Sequence, residues 1–214
     1  MNYQEFKNAF QEKIFNRSKK VFITGTDTEV GKTIVSLGLC LHWKADYWKP
    51  IQTGRPTDSD FIKKFLPSKT VYPSSYQFKA PLSPNQASFK ENKKIDLKKI
   101  QTPKSSCLVV EGIGGVYVPL NDKQTVLDLI QFINYPVIVV ARSGLGTLNH
   151  TLLTLTILKQ RKIKILGVIL SGPFHPDNKR DIEKWSGVPV ILELRLLKSI
   201  TKKALLNEFK KLKI

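Results

Sequence analysis

The sequence contains few of the residues that build disulfide frameworks or zinc sites, with two cysteines and three histidines among 214 residues. Cys40 and Cys107 lie in apolar segments and form no Cys-x-x-Cys pair, so we expect buried, reduced thiols. His42, His150 and His175 have no ligand spacing to one another. The composition therefore excludes a disulfide-stapled domain and argues against a His/Cys metal site.

Long hydrophobic runs are also absent. No stretch reaches the roughly 20 apolar residues that span a bilayer, and the first residues include acidic side chains where a secretory signal would be apolar. Phe6, Phe10 and Ile14 recur at helical spacing and predict a short amphipathic helix. We therefore expect a cytoplasmic protein with an N-terminal helical extension over 1–19 and a single α/β domain over 20–214.

Acidic residues are scarce, since 17 Asp and Glu stand against 35 Lys and Arg and the net charge is +18. Such a charge is compatible with binding to nucleic acid or to an anionic membrane. However, the basic residues are spread out, with loose clusters at Lys90–Lys99 and Lys202–Lys213, and no aromatic–basic recognition pattern accompanies them. A lysine-rich surface is the simpler interpretation, so we predict neither a nucleic-acid nor a membrane partner.

What the sequence does contain is a series of short apolar segments separated by helical patterns. Strands are predicted at Val21–Thr24, Ala45–Pro50, Cys107–Val110, Val137–Val140, Ile165–Leu170 and Val188–Leu192, and helices at Thr33–Leu41 and Thr147–Lys159. This alternation predicts an α/β fold, a doubly wound, mainly parallel sheet with helices on both faces. The Gly-Lys-Thr sequence at Gly31, after the first strand, makes the predicted fold one of the P-loop NTPase type. Ligands in such a sheet bind beyond the carboxyl ends of the strands. The Pro- and Ser-rich stretch Pro67–Pro103 is predicted to be an irregular excursion.

A glycine-rich loop, Gly25–Thr33, joins the first predicted strand to the first helix. It ends in Gly-Lys-Thr like a phosphate-binding P-loop, but five residues separate its two glycines, and Glu29 is among them. The usual spacing is four. The loop backbone and the helix N-terminus would bind phosphate, Lys32 would reach the β- and γ-phosphates, and the Thr33 hydroxyl would bind Mg²⁺.

Charged residues are predicted at the ends of neighbouring strands. Glu111 ends an apolar strand and would be a metal ligand opposite the loop threonine. Asp58 and Asp60 lie in a polar loop or at a helix start, where they are either N-caps or the source of a second magnesium carboxylate. Lys49 ends the second strand before a proline, which would place its ammonium group near the γ-phosphate.

These motifs resemble those of the dethiobiotin synthetase family, in which the longer glycine spacing is normal. The resemblance covers about residues 20–170 and is carried by GTDTEVGKT from Gly25, KPxxTG from Lys49, SD at Ser59, APLSP from Ala80, VEGIGG from Val110 and GLGTLNH from Gly144. It implies an ATP- and Mg²⁺-dependent ligase of biotin biosynthesis. Such an enzyme closes the ureido ring of dethiobiotin from 7,8-diaminopelargonic acid and CO₂, through a carbamate and a carbamic-phosphoric anhydride.

The resemblance also implies roles for individual residues. Lys49 and Lys32 would be catalytic, and Thr33, Asp60 and Glu111 would hold Mg²⁺. The nucleotide-binding residues would be Glu29, Val30, Gly31, Lys32, Thr33, Ile34, Glu111, Gly112, Ile113 and Gly114. The substrate-binding residues would be Thr28, Thr53, Gly146, Thr147, Leu148 and Asn149. The last four would hold the acceptor carboxylate from a partner subunit at a helix N-terminus, which implies a homodimer.

The predicted base-binding positions depart from the family. ATP-using members commonly carry an Asn after the strand Ile165–Leu170 and a Pro-Trp pair further along the chain. Here these positions are Ser171-Gly172 and Glu193–Leu196. The departure predicts a loose or altered nucleotide preference, in which NTPs other than ATP also serve.

Two other functions are compatible with a P-loop. An amidoligase would need a glutaminase domain or partner, for which the chain has neither the length nor a nucleophilic cysteine. A regulatory ATPase of the partitioning type, which binds DNA or membrane, would carry an additional lysine near the start of the loop, where this chain has Thr26-Asp27-Thr28. The synthetase and the regulatory ATPase are distinguished by whether ATP turnover requires a diamine and bicarbonate or instead responds to DNA or lipid.

Overall fold

The computed structural model describes residues 19–214, and the helix predicted from Phe6, Phe10 and Ile14 lies outside them. The strands are β1 (Lys20–Gly25), β2 (Asp46–Trp48), β3 (Ile51–Thr53), β4 (Val71–Tyr72), β5 (Tyr76–Phe78), β6 (Leu108–Gly115), β7 (Val137–Arg142), β8 (Ile165–Ser171) and β9 (Val190–Leu194). The helices are α1 (Lys32–Trp43), α2 (Asp58–Phe65), α3 (Pro84–Lys90), α4 (Val126–Ile133), α5 (Thr147–Gln160), α6 (Pro176–Ser186) and α7 (Lys202–Phe209). Every predicted strand and helix of the α/β domain is present, with its ends shifted by a few residues.

Seven strands form one parallel sheet in the order β4-β2-β6-β1-β7-β8-β9. Strand β1, which leads into the glycine loop, is central and pairs with β6 on one side and β7 on the other. Because all strands run the same way, their carboxyl ends share one edge. That edge carries the residues after β1, β2, β7 and β8, which include most of the predicted site.

The two faces of the sheet are covered by different helices. On β1, Phe22 points to one face and Val21 and Ile23 to the other, as the alternation of strand side chains requires. The Ile23 face packs against α1, α2 and α7, and the Phe22 face against α3, α4, α5 and α6. The doubly wound parallel sheet is therefore confirmed. No helix within residues 19–214 combines the length and the apolar character needed to cross a membrane.

The stretch Pro67–Pro103 is more regular than predicted. It contains β4, β5 and α3, and Leu97–Lys99 form a short 3₁₀-helix. Strand β5 pairs in parallel with β3 in a separate two-stranded sheet. Ile95 and Ile100 are buried in the core of the domain. The prediction of an irregular stretch is wrong in these places, because strands of two or three residues are too short to show a periodic pattern.

Helix α7 packs on α1, the helix that follows the glycine loop. Gly38 of α1 faces the fully buried ring of Phe209. A Cβ atom at position 38 would lie 2.0 Å from Phe209 Cε2, far inside contact distance. Because glycine carries no side chain there, the aromatic ring can lie directly on the backbone of α1.

Candidate active site

The glycine loop has the backbone geometry of an anion site. It leaves β1 at Gly25, and Gly31 is the N-cap of α1 with a left-handed φ of 97°. A Cβ atom at Gly25 would lie 2.8 Å from the Asp27 carbonyl oxygen and 2.9 Å from Lys32 Nζ, so a side chain there would collide with the loop. The first N–H groups of a helix have no partner within the helix. Together with the helix dipole they can bind phosphate.

Lys32 lies inside this loop. Its side chain is buried, and Nζ donates a hydrogen bond to the Asp27 carbonyl oxygen at 2.7 Å. Burial lowers the pKa of Lys32 to about 8, and the nearby carboxylate of Glu111 only partly opposes that shift. The ammonium group is thus held by the loop backbone itself, at the position from which it can reach a bound phosphate.

A hydroxyl and two carboxylates meet at the start of α1. Thr33 Oγ1 lies 2.9 Å from Glu111 Oε1 and 3.1 Å from Asp58 Oδ1, and its single proton can be donated to one of them at a time. Glu111 belongs to β6 and is almost fully buried. Glu111 is predicted at the end of a strand, but the strand continues to Gly115, so this side chain reaches the site from within the sheet.

Lys49 adds an ammonium group to this cluster. Nζ lies 2.9 Å from Glu111 Oε1 and also donates to Asp58 Oδ2. Burial alone would lower the pKa of Lys49, but the charges of Glu111 and Asp58 more than offset it, and its pKa is raised. Lys49 is therefore a charged group fixed between two carboxylates. The structure brings Lys32, Thr33, Lys49 and Glu111 together as predicted.

The structure places Asp58 in the cluster, and not Asp60, which the motif resemblance assigned to the metal. Asp58 is the first residue of α2 and contacts Thr33 and Lys49, whereas Asp60 is exposed. Two residues of a helix are separated by about 200° of rotation, so the two carboxylates point in different directions. Neither aspartate is the N-cap, because the side chain of Thr57 accepts the hydrogen bond from the Asp60 N–H.

Tyr47 completes the cluster and is not among the residues predicted from the sequence. Its hydroxyl donates to Glu111 Oε2 at 3.0 Å, and the residue is fully buried. Burial, followed by the charge of Glu111, raises the pKa of Tyr47 well above its ordinary value. The available signal was its position two residues before Lys49, because alternate residues of a strand point to the same face.

A cavity of about 740 Å³ opens above this cluster. Its lining includes the predicted residues Thr28, Glu29, Gly31, Lys32, Thr33, Ile34, Lys49, Thr53, Glu111, Ile113 and Gly114, and also Asp58. The segment 81–84, from the APLSP motif, forms part of the same wall. Val30 and Gly112 lie outside the lining, since Val30 is buried in the core and Gly112 packs against Phe22.

The residues predicted to hold the acceptor carboxylate lie elsewhere. Gly146 is the N-cap of α5 with a φ of 88°, and Thr147 is buried, with its hydroxyl donating to the Arg142 carbonyl oxygen. Leu148 packs against the core, and Asn149 is exposed. These four residues are not part of the cavity above the glycine loop. A second cavity of about 690 Å³ runs along α5 and includes Asp27 and Leu153 in its walls.

The cluster also has the donors that Mg²⁺ prefers. Within residues 19–214 no group of three or more His, Cys, Asp or Glu side chains forms a potential metal site. Mg²⁺ in nucleotide enzymes does not need one, because it is held by one or two carboxylates, a hydroxyl, waters and the substrate phosphates. The two carboxylates beside Thr33 fit that requirement.

Comparison with known proteins agrees with this geometry. A family model described as an AAA domain matches residues 19–204. A solved structure of a ParA family ATPase from Chlorobium tepidum TLS has a TM-score of 0.52 and 14% sequence identity, and covers 89% of this chain and 92% of that chain. Such a distant similarity concerns the fold alone. Fold and site together define a P-loop nucleotide-binding protein.

Two curated relatives narrow the class. The chain is 47% identical over 184 residues to the ATP-dependent dethiobiotin synthetase BioD of Paramagnetospirillum magneticum, covering 85% of this chain and 90% of that protein. It is 46% identical over 188 residues to the protein of the same name from Lawsonia intracellularis, covering 87% and 92%. The chain therefore belongs to the dethiobiotin synthetase family, and the resemblance seen in its motifs is confirmed.

Proposed function

We propose that this chain closes the ureido ring of dethiobiotin from 7,8-diaminopelargonic acid, CO₂ and ATP. The observation that carries the proposal is that Lys32, Thr33 and Lys49 line one cavity at the carboxyl edge of the sheet. Phosphoryl transfer to a small anionic acceptor requires such fixed positive charges beside the phosphate loop. The partitioning-type ATPase is not favoured, because the ParA family structure is similar to this chain in fold alone.

The reaction has three steps. One amine of the diamine adds to CO₂, which gives a carbamate and releases a proton. A carbamate oxygen attacks the γ-phosphorus of ATP, and the bond to the β–γ bridging oxygen breaks to release ADP. The second amine attacks the carbonyl carbon of the mixed anhydride, and phosphate and a proton leave as the ring closes. Phosphorylation is needed because an unmodified carbamate oxygen is a poor leaving group.

The chain contributes position and charge to these steps. The loop N–H groups and Lys32 would hold the β- and γ-phosphates in line with the acceptor. Lys49 would neutralise the carbamate oxygen that attacks and the charge that develops on the transferred group. The hydroxyl of Thr53 lines the same cavity and would contact the acceptor, as would Thr28 of the loop.

We also propose that Thr33, Asp58 and Glu111 hold Mg²⁺ in the nucleotide complex. Two carboxylates and a hydroxyl would leave positions for phosphate oxygens and water, as Mg²⁺ sites in nucleotide enzymes do. A divalent ion held by these residues would supply positive charge that stabilises the phosphates and the leaving group. Asp58 replaces Asp60 in this proposal because of its contact with Thr33.

The acceptor carboxylate would bind at Gly146–Asn149 of a second copy, as the resemblance implies. A helix N-terminus is a suitable carboxylate site. Large apolar side chains are exposed beside it, since Leu145 is fully exposed and Leu153 and Tyr117 are more than half exposed. This exposed apolar surface supports a homodimer in which the second copy's α5 lies at the site.

The proposal is tested by phosphate release from ATP, Mg²⁺ and bicarbonate, measured with and without 7,8-diaminopelargonic acid. We expect release to depend on the diamine and to fall by at least about 1,000-fold in Lys49→Ala. Lys63→Ala, an exposed lysine of α2, is the matched control and should retain activity. Phosphate release that is independent of the diamine would support the phosphate site and contradict the assignment of the acceptor. Release that responds to DNA or lipid would favour the regulatory ATPase.

A further inference from the structure

The two oxygens of the Glu111 carboxylate have different partners. Oε1 faces the cavity, where it contacts Thr33 and Lys49. Oε2 points into the protein and accepts the hydrogen bond of the Tyr47 hydroxyl. We propose that Tyr47 is a positioning residue for Glu111, which it holds in the orientation that presents Oε1 to the magnesium ion. The inference rests on the proposed magnesium-dependent function.

The pairing of β2 with β6 brings these two side chains together. Tyr47 is directly opposite Val109 in the parallel register, and Glu111 is two residues further along β6. Residues two apart on a strand point to the same face, so Tyr47 and Glu111 are diagonal neighbours on one face of the sheet. The ring reaches the carboxylate from the side while the backbone of each strand is fixed by the ladder.

The Tyr47 ring is fixed by packing in the core. It is fully buried in the apolar cluster beneath α1, together with Val35, Leu39 and Val109. Because the ring is fixed, its hydroxyl has one position. The hydrogen bond from that hydroxyl therefore restrains the Glu111 carboxylate as well as the tyrosine. The ring belongs to the core, and its hydroxyl contacts Glu111, a residue of the cavity wall.

Loss of this hydroxyl would release Glu111 from its orientation. Within residues 19–214 the hydrogen bond to Oε2 comes from Tyr47, and Glu111 is nearly inaccessible to water. An unpaired, buried carboxylate oxygen is unfavourable, so the side chain would rotate to share its partners in the cavity. Partners that orient a metal ligand typically change metal affinity or activity 10- to 100-fold when they are removed.

The test is Tyr47→Phe, which keeps the ring in the core and removes only the hydroxyl. The affinity for Mn²⁺, a paramagnetic substitute for Mg²⁺, is measured by electron paramagnetic resonance on the ADP complex. We expect the affinity to fall by about tenfold. In steady state the concentration of Mg²⁺ needed for half-maximal rate should rise, while the KM for the diamine stays unchanged. A melting curve verifies that the variant is folded.

Tyr76→Phe is the matched control. The Tyr76 hydroxyl also makes hydrogen bonds, to the Asp96 backbone, but it lies away from the carboxylate cluster. It should lower the melting temperature without changing Mn²⁺ affinity. In a Glu111→Gln background, removal of the Tyr47 hydroxyl should change Mn²⁺ affinity by less than about twofold, because the effect acts through Glu111.

The outcomes are distinguishable. A wild-type ADP complex that binds no Mn²⁺ would remove the proposed metal site and this inference with it. Wild-type binding together with equal binding by folded Tyr47→Phe would overturn the inference alone and leave the proposed function in place. An equal loss of affinity in the Glu111→Gln background would also overturn it, since Tyr47 would then act by some route other than Glu111.

Discussion

The carboxyl edge of the sheet has two parts, which differ in whether their side chains are buried and paired within the chain or exposed. Around β1, β2 and β6, the charged side chains Lys49 and Glu111 are buried and paired with each other. After β7, β8 and β9, the side chains Leu145, Phe174 and Leu196 are exposed. The first part, here called the phosphate part, is organised by contacts within one chain. The second, here called the outer part, exposes apolar surface that a nucleotide base or a second copy could cover.

After Lys49→Ala, the largest effect is expected in the phosphate part, and it separates two neighbouring aspartates. Asp58→Asn should lower kcat/KM by at least about 100-fold, because it removes a carboxylate beside Thr33. Asp60→Asn should stay within about twofold, because Asp60 is exposed. Steady-state phosphate release at saturating diamine checks both variants. Equal losses, or a larger loss for Asp60→Asn, would restore the assignment made from the sequence.

A second prediction concerns pH and also belongs to the phosphate part. Burial lowers the pKa of Lys32 to about 8, so in the free protein the group is charged below pH 8 and becomes neutral above it. Binding of phosphate needs the charged form. ADP affinity should therefore be constant from pH 7 to about 7.5 and should fall about tenfold per pH unit well above 8.

Calorimetry in buffers of different ionisation enthalpy measures this affinity and the accompanying uptake of a proton. Lys32→Arg is the control, because a guanidinium stays charged throughout this range and its pH profile should be flat. A wild-type affinity that is the same at pH 7.5 and pH 9 would contradict the prediction.

The outer part is tested by its exposed leucine on α5. Leu153→Glu should shift a dimer to monomer in sedimentation velocity, because it places a charge on the apolar surface. The KM for the diamine should rise about fivefold, which corresponds to the roughly 1 kcal/mol of a carboxylate at a helix N-terminus. Phe132→Glu, on exposed apolar surface of α4, is the control. The proposed assembly would be contradicted if the wild type sediments as a monomer and Leu153→Glu leaves the KM for the diamine unchanged.

The smallest effect is expected for the choice of nucleotide base. Gly172 donates its N–H to the Leu194 carbonyl oxygen, so this backbone group is already paired. With no amide side chain at Ser171, discrimination against other bases should be weak. We expect kcat/KM values for ATP, GTP and CTP that agree within about threefold. An ATP preference of a hundredfold would show that other groups of the outer part read adenine.

The same two parts differ in what could be predicted from the sequence. The glycine loop and Glu111 were assigned correctly to one edge because each follows or belongs to an apolar strand of at least six residues, whose pattern is unambiguous. Lys49 follows a strand of only three residues, and its position was indicated by the apolar segment that ends at Pro50. The choice between Asp58 and Asp60 could not be made, because it depends on where α2 begins. Tyr47 was not recognised, because an aromatic residue in an apolar strand looks like core, and here it is core as well.

Several helices were also not predicted, for physical reasons. Helix α4, with the sequence VLDLIQFI, is a mostly apolar run of only eight residues, and a run of that length cannot be distinguished from a buried strand by its pattern alone. Helices α6 and α7 carry many charged residues and few buried positions, so their apolar stripe is narrow. Whether such segments fold as helices is decided by the surface they pack on, and that surface is built from distant parts of the chain.

The contact between Gly38 and Phe209 has a consequence for variation among relatives. Glycine at position 38 is tolerated in the middle of α1 only because the ring of Phe209 fills the space that a side chain would take. The two positions are therefore linked through volume. A relative with alanine or a larger residue at position 38 is expected to carry a smaller residue at position 209, so the two sites should covary during divergence.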